Sequence, residues 1–197
     1  TCVALTLGAG TALTLGSVLP LVAGDRLLLI QVQDDFAASG DPAPATADAA
    51  RCEVAEVSSA AGTAIDVVAP LANGNGYHSD STRRAQACKM PQYVDVVLDG
   101  VFMSAPPWDG TKGGVVAFFV SGTLTVSNSG GVNVDALGFA GGARSGSAAS
   151  SSVITLDPVG ADGGGKGHGT DGKTDGTPFG RGNYASGGGG GNARSAG

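Results

Sequence analysis

Short alternations of apolar and polar residues predict a series of β-strands in the first half of the chain. The alternation from Val3 to Leu7 stops at Gly8–Gly10 and resumes at Leu13 and Leu15, which is the pattern of two strands joined by a turn. A turn at Gly24–Asp25 then precedes the apolar run Arg26–Gln33. This run predicts a buried central strand.

Further along, the segments Cys52–Val57 and Ala64–Val68 predict a hairpin around a turn at Ser58–Gly62. Two more strands are predicted at Ala85–Met90 and Tyr93–Leu98. The intervening residues 34–50 and 70–84 are rich in Pro, Gly, Asp and Asn, which oppose regular structure. About seven short strands in residues 1–100 predict a small β-barrel or sandwich.

The pattern changes after residue 100. Val115–Val120 is apolar on both faces, and Leu124–Val126, Val132–Val134 and Val153–Leu156 are short strand-like runs between small turns. Short strands joined in this way are typical of a coil of a parallel β-helix or of stacked hairpins. We therefore predict a second, short-strand β module over residues 101–158.

Residues 159–197 form a third, glycine-rich segment in which Val159, Phe179 and Tyr184 are the sizeable apolar or aromatic groups. Neither a helix nor an ordinary strand core can be built from this composition. Chains rich in glycine can instead pack as extended, polyproline-II-like strands whose backbones approach closely. Such packing needs several parallel runs, so neighbouring subunits are expected to supply some of them.

The composition narrows the classes of function. Glycine accounts for 35 of 197 residues, charged residues for 14 % and aromatic residues for 5 %, and the net charge is −6. An acidic chain without a basic face is not expected to bind nucleic acid, and none of its apolar runs reaches the ~18 residues of a membrane helix. Together with a start at Thr1 rather than Met, the composition suits a secreted all-β protein, either processed or a fragment.

Three cysteines raise the question of disulfide bonding. Cys52 and Cys88 lie in two predicted strands of the same module, and we predict that they are joined. Cys2 is then left free or linked to a neighbouring subunit. The alternative is that all three cysteines are reduced and buried.

One motif resembles a nucleotide-binding loop. Gly167–Thr174 matches the expression G-x4-G-K-T, but that motif works only where a helix follows and its N-terminus holds the phosphate. Pro178 and the surrounding glycines oppose such a helix. We therefore predict no nucleotide cofactor.

Other candidate chemistry is sparse. The turn residues Asp157, Asp162, Asp171 and Asp175 leave Ca²⁺ binding open, although solvated turn aspartates are the simpler interpretation. His78 and His168 stand apart from any nucleophile in the sequence, and no close pair of cysteines suggests zinc. Glu53 and Glu56 are three residues apart on a predicted strand and so face opposite sides. We predict no catalytic, metal or cofactor residues, and hence no enzyme.

Trp108 is the one tryptophan and follows a pair of prolines in the segment Ala105–Gly114. One interpretation is a platform on which a sugar ring stacks. The other is an apolar plug between the first module and the strands that begin at Val115. We favour the plug because an apolar strand follows at once.

Four segments together resemble a group of large exported bacterial surface proteins with glycine-rich regions, both adhesin-like and motility-associated. The segments are Gly24–Gln31, Pro91–Val96, Trp108–Phe118 and Gly138–Gly142. The resemblance implies an extracellular, surface-located β protein. It implies no catalytic residues.

These observations predict a structural subunit of an extracellular filament or cell-surface assembly, joined by strand pairing and glycine-rich backbone packing. The residues expected at contacts between subunits are Cys2, Val3, Leu5, Leu7, Phe179 and Tyr184. The alternative function is an adhesin or fibre-tip module that binds surface glycans through the loops at 34–50 and 70–84, with Trp108 as a platform. In either case we expect a homo-oligomer or polymer.

Overall fold

A computed structural model describes residues 1–33, 52–72, 76–80 and 83–139 of the chain. Within these ranges the protein consists of strands and connecting loops, without a helix. The prediction of an all-β fold is therefore confirmed.

Thirteen strands are found in the described residues. The first seven belong to one sheet: β1 (Cys2–Ala9), β2 (Ala12–Leu15), β3 (Arg26–Gln33), β4 (Cys52–Ala61), β5 (Ala64–Val67), β6 (Tyr77–His78) and β7 (Arg84–Met90). The other six form parallel pairs: β8 (Gln92–Tyr93), β9 (Val96–Leu98), β10 (Phe102–Met103), β11 (Phe119–Val120), β12 (Leu124–Val126) and β13 (Gly131–Val132).

The first sheet closes on itself as a six-stranded antiparallel barrel in the order β2, β5, β4, β3, β7, β1, because β1 also pairs with β2. Two long strands make the closure possible by changing partners along their length. Cys2–Ala4 pairs with β7 and Leu5–Ala9 with β2. In the same way Cys52–Glu56 pairs with β3, and the end of β4 pairs with β5.

The barrel interior is filled by the inward-facing residues of each strand. Leu5, Leu27, Leu29, Val57 and Ile65 are almost completely buried, as the alternation of side chains along a strand requires. The sequence pattern therefore located these strands correctly. It placed the turn of the β4–β5 hairpin over Ser58–Gly62, whereas β4 continues to Ala61 and leaves a tighter turn.

The disulfide prediction was wrong. Cys88 is bonded to Cys2, with a Cα–Cα distance of 4.0 Å, and Cys52 is an exposed free thiol. Cys2 and Cys88 are direct partners in the β1–β7 ladder. Strand β3 lies between β7 and β4, so Cys52 is two strands from Cys88. Two strand spacings are roughly 10 Å, beyond the roughly 7 Å that a disulfide can bridge.

After Met90 the chain changes from antiparallel to parallel pairing. Strands β8, β9 and β10 pair with β11, β12 and β13, and the partners Gln92–Phe119, Val96–Leu124 and Phe102–Gly131 are separated by almost constant intervals. Strands β8–β10 form the first layer and β11–β13 the second layer of a parallel coil, which is one of the two arrangements that the sequence left open. The expected boundary at residue 100 falls inside the first layer, and strand structure in Val115–Val120 is confined to β11.

Candidate assembly surface at the open end of the coils

The coil is fixed to the barrel by a buried glutamine. Gln86, on β7, is fully buried. Its Nε2 donates to the carbonyl oxygen of Gly113 at 3.1 Å, and its Oε1 accepts from the Gly113 amide at 2.8 Å. Gly113 has a φ of +98°, and a Cβ there would overlap the carbonyl oxygen of Pro107. The Gln86 side chain thus satisfies both backbone groups of a residue that has to be glycine.

The first layer also contacts the turn before β3, and the second layer contacts the first residue of β3. The Arg26 guanidinium lies 4.3 Å from the centre of the Phe119 ring, within the range of a cation–π interaction. The Gln92 side chain donates to the Gly24 carbonyl oxygen at 3.0 Å. Because Gln92 begins the first layer and Phe119 begins the second, the barrel sets the start of each.

Hydrogen bonds between equivalent turns keep the two layers in register. The Asp95 carboxylate accepts from the Thr123 amide at 2.7 Å, and the Gly122 amide donates to the Val94 carbonyl oxygen at 2.7 Å. One turn later, Asp99 accepts from the Ser127 hydroxyl at 2.7 Å and from the Ser129 hydroxyl at 3.1 Å. These two bonds to the charged form lower the pKa of Asp99.

Apolar side chains at paired positions of the two layers are stacked on each other in columns. No described residue continues these columns beyond the second layer. Leu98 and Ala105 in the first layer are 4 % and 8 % exposed. In the second layer Val126, the partner of Leu98, is 52 % exposed and Leu124 is 43 % exposed. Val132 and Val134 are 49 % and 44 % exposed. Leu98 and Ala105 are therefore enclosed, although Val97 and Phe102 of the first layer are exposed, and half-exposed Leu124 and Val126 mark the open end of the second layer.

The backbone of β12 is also incomplete in the described ranges. The Thr123 carbonyl and the Ser127 amide bond to Val96 and Leu98 of β9. Because the hydrogen-bonding groups of a strand alternate from one side to the other, the amides of Leu124 and Val126 point away from β9. The open end thus presents both apolar side chains and unpaired strand backbone.

An apolar cavity of about 640 Å³ lies between the barrel and the second layer. Its walls include Val132, Val134 and Phe139 of the second layer, Phe118 just before β11, and Ile30 and Cys52 of the barrel. The exposed Cys52 thiol therefore stands at the rim of the cavity, a position that no sequence signal indicated.

Trp108 belongs to the first layer. Its amide donates to the Leu137 carbonyl oxygen at 3.0 Å, and its ring meets Phe139 edge-on with 5.1 Å between the centroids. The half-buried ring thus contacts the second layer of the coil. The apolar plug between the first module and the strands from Val115, and the sugar platform, both stay predictions.

The predicted contact residues of β1 are used within the chain. Cys2 forms the intrachain disulfide, so the prediction that it is free or linked to another subunit was wrong. Val3 and Leu5 face the barrel core, and the more exposed Leu7 pairs through its backbone with β2 and β6. Phe179 and Tyr184 lie outside the described residues.

The other residues considered as catalytic or metal-binding candidates either lie on strands and make structural hydrogen bonds or fall outside the described ranges. Glu53 and Glu56 occupy opposite faces of β4, as predicted, and Glu53 accepts from the Tyr77 hydroxyl at 2.9 Å. The His78 amide donates to the buried Gln31 side chain at 2.9 Å. Gly167–Thr174, His168 and the aspartates at 157, 162, 171 and 175 lie outside the described residues.

Within the described ranges, no group of three or more His, Cys, Asp or Glu residues is arranged to hold a metal ion. A search of the same ranges for a helix long and apolar enough to cross a membrane finds none.

The repetition of the two layers is visible in the amino-acid sequence, but only when segments about 28 residues apart are compared with each other. Val96–Asp99 and Leu124–Ser127 share one pattern, apolar, variable, apolar, polar, and are 28 residues apart. Self-similarity at that interval marks the two layers in the amino-acid sequence itself.

Comparisons with known proteins identify no family. No family model and no curated protein matches the chain. Among solved structures, the tailspike protein gp49 from Pseudomonas phage LKA1 aligns with 19 % identity and a TM-score of 0.29. The tailspike gp61 of Pseudomonas phage phi297 aligns with 23 % identity and a TM-score of 0.28.

These alignments cover 67 % and 64 % of this chain but 22 % and 19 % of the two tailspikes. The chain thus corresponds to about a fifth of either protein. TM-scores this low do not establish a shared fold.

Proposed function

We propose that this protein is a structural subunit of an extracellular filament or cell-surface assembly. In this proposal the barrel caps one end of a parallel coil, and the coil together with the glycine-rich segment that follows it forms the joint between subunits. The observation that carries the proposal is the open end of the coil, where half-exposed Leu124, Val126, Val132 and Val134 accompany unpaired strand backbone.

Open strand edges favour pairing with additional strands. Proteins that remain monomeric usually shorten such edges, charge them or cover them. The strands at this edge are short, with two or three residues each, but no described residue covers β12. In the second layer the inward positions carry apolar residues rather than Lys, Glu or Pro. Pairing there buries apolar surface and satisfies backbone groups together, which is how strand addition generates affinity.

The barrel is unsuited to the same role, because its six strands close without a free edge. Contacts between subunits are therefore assigned to the coil and to residues 159–197. The glycine-rich sequence supports this assignment, since closely packed backbones can exchange hydrogen bonds between chains.

The disulfide supports the proposed location. Structural disulfides persist in oxidising compartments, including the periplasm and the extracellular space. Cys2 and Cys88 join the first and last long strands of the barrel, and such a bond suits a subunit that works outside the cell.

The proposal is tested by deleting residues 159–197 and comparing the shortened and full chains by sedimentation and electron microscopy. We expect polymers from the full chain. Residues 1–158 should stay folded but unpolymerised, because the open end of the coil then lacks the glycine-rich part of the joint. A full chain carrying Lys173→Ala is the matched control and should polymerise normally, because it alters the segment without shortening it. Filaments from the shortened chain, or a full chain that stays monomeric at every concentration, would contradict the proposal.

A further inference from the structure

We propose that β12 of a second copy of this chain pairs with β12 across a twofold axis, so that the open ends of two coils meet. Leu124 of one copy then lies opposite Val126 of the other, and Thr125 lies opposite its own counterpart. The inference rests on the proposed assembly role and deepens it, because it names the partner, the symmetry and the register of one joint between subunits.

The barrel restricts how two copies can meet through their coils. It contacts the start of the first layer through Gln92 and holds Gly113 through Gln86, and its six strands close on themselves. Among the described residues, the coil therefore offers open strand backbone at the end formed by the second layer. Two copies that pair through this backbone use the same surface twice, and such an interface has twofold symmetry.

The backbone groups of β12 fit an antiparallel copy of the same strand. The Thr123 carbonyl and the Ser127 amide bond to β9, so the amides and carbonyls of Leu124 and Val126 point away from β9. In an antiparallel ladder, two residues of a hydrogen-bonded pair exchange both of their backbone bonds. With Leu124 opposite Val126 on both sides of the axis, each of these residues bonds to its partner through both groups.

The side chains fit the same register. A twofold axis perpendicular to a sheet runs identical edge strands antiparallel and keeps equivalent side chains on the same face. Leu124 and Val126 share one face of β12, and Thr125 lies on the other. The pairing thus joins the half-exposed Leu124 and Val126 of both copies into one apolar face, and it places two threonines together, which is a favourable cross-strand pair.

The second layer carries no charge that opposes pairing with itself. Residues 119–134 contain no Asp, Glu, Lys or Arg, whereas the first layer includes Asp95 and Asp99. Identical groups meet at a twofold axis, so a charged side chain at the centre of this edge would face a like charge, which destabilises a strand pair. An uncharged edge is therefore what a second copy requires, and it offers nothing to attract an oppositely charged partner.

The first experiment uses one free thiol in the full chain, with Thr125→Cys in a Cys52→Ser background. In the proposed register the two copies of position 125 form a non-hydrogen-bonded pair with Cα atoms ~4.5 Å apart, within bonding reach. Mild oxidation should therefore give a disulfide-linked dimer on a non-reducing gel. Thr123→Cys is the matched control, because it lies on the same face but its two copies are ~14 Å apart.

A dimer that forms at position 125 and not at position 123 supports the twofold pairing. Equal crosslinking at both positions would overturn it in favour of parallel stacking of copies. The absence of a crosslink at position 125 would also overturn it, and the occupant of the open end would then be another segment of the same chain or a different protein.

The second experiment tests the symmetry with charge. Thr125→Lys and Thr125→Glu each place two like charges at the axis, so each variant alone should dimerise about fivefold more weakly than the unaltered full chain in sedimentation. An equimolar mixture should recover the dimer, because Lys then faces Glu. Val97→Lys is the control, since Val97 is exposed on the first layer beside Thr125 and away from the axis. Unchanged dimerisation of either variant alone, or a mixture no stronger than its components, contradicts the proposal.

These readouts are separate from filament formation. Filaments without a crosslink at position 125 would reject the twofold joint and leave the assembly role standing. Crosslinked dimers from a full chain that forms no longer polymers would reject the assembly role and leave the twofold pair. The two outcomes differ because a twofold joint uses the open ends of both copies, so further growth depends on residues 159–197.

Discussion

Leu98 and Val126 are direct partners in adjacent layers of the coil, yet Leu98 is 4 % exposed and Val126 is 52 % exposed. Both side chains are aliphatic, and the difference in exposure follows their positions in the stack: a second layer lies on Leu98, and no described residue pairs with the other side of Val126. Stability in this half of the protein is therefore a property of neighbouring layers rather than of single strands.

The disulfide should dominate the stability of the barrel. Cys2 and Cys88 are 86 positions apart, and in the loop-closure description a crosslink of that span contributes about 4.6 kcal/mol. We expect Cys88→Ser to lower the denaturation midpoint strongly, as measured by circular dichroism in urea. Cys52→Ser is the control and should leave the midpoint nearly unchanged. A bond between Cys52 and Cys88 in non-reducing peptide maps would contradict the structure.

Gln86 should couple the coil to the barrel. Replacing it with Leu removes two buried hydrogen bonds and leaves the backbone groups of Gly113 without their side-chain partner. The expected cost is about 1–3 kcal/mol, and limited proteolysis should cut residues 104–118 earlier. Gln92→Ala removes an exposed bond to Gly24 and should have a much smaller effect. Equal effects of the two substitutions would argue against the coupling role.

Gly130 should be essential for close stacking of the turns. A Cβ at this position would overlap the carbonyl oxygen of Leu98, so Gly130→Ala forces the layers apart at a cost of about 1–3 kcal/mol. At Gly138 a Cβ meets no atom within 4 Å, and Gly138→Ala should be almost neutral. Thermal unfolding of the two variants checks the prediction, which fails if both melt at the same temperature.

The ion pair between Lys89 and Asp25 should make stability depend on pH in the acid range. Burial raises the pKa of Asp25, but hydrogen bonds from Lys89 and the Val22 amide and the charge of Lys89 outweigh it, so the pKa lies below its ordinary value of 3.8. A lowered carboxyl pKa adds stability that is present above the unfolded value and is lost as the pH falls through the folded value.

In the Asp25→Asn variant, stability should therefore change less steeply with pH below 3.8 than in the unaltered protein. Urea midpoints measured between neutral pH and the acid limb check this. Asp66→Asn is a suitable comparison, because Asp66 bonds to a serine hydroxyl on an exposed face. The same acid slope in Asp25→Asn and the unaltered chain would contradict the prediction.

The local pattern of apolar and polar residues was sufficient to predict the positions of most barrel strands. Arg26–Gln33 was predicted with the bounds of β3, because an apolar run between turn residues has few other interpretations. Short strands between small turns predicted either a parallel coil or stacked hairpins, and the structure shows the parallel coil. What a local pattern cannot supply is which strands become neighbours.

Strand order explains the failed disulfide prediction. Cys52 and Cys88 lie in strands that were both correctly located, but β3 inserts between them and β1 takes the place beside β7. Such long-range pairing depends on the closure of the whole barrel. The role of Gln86 could not be predicted for the same reason. Its polar side chain lies in a buried strand, and its bonding partner, Gly113, is 27 residues away in the sequence.

The closed barrel gives the coil two unlike ends. It precedes the coil in the chain and contacts the start of both layers through Arg26 and Gln92. In stacked repeats each unit is stabilised mainly by its neighbours, and a terminal cap protects the end that it covers. The barrel is such a cap, so a further layer can be added to this coil only at the end away from it.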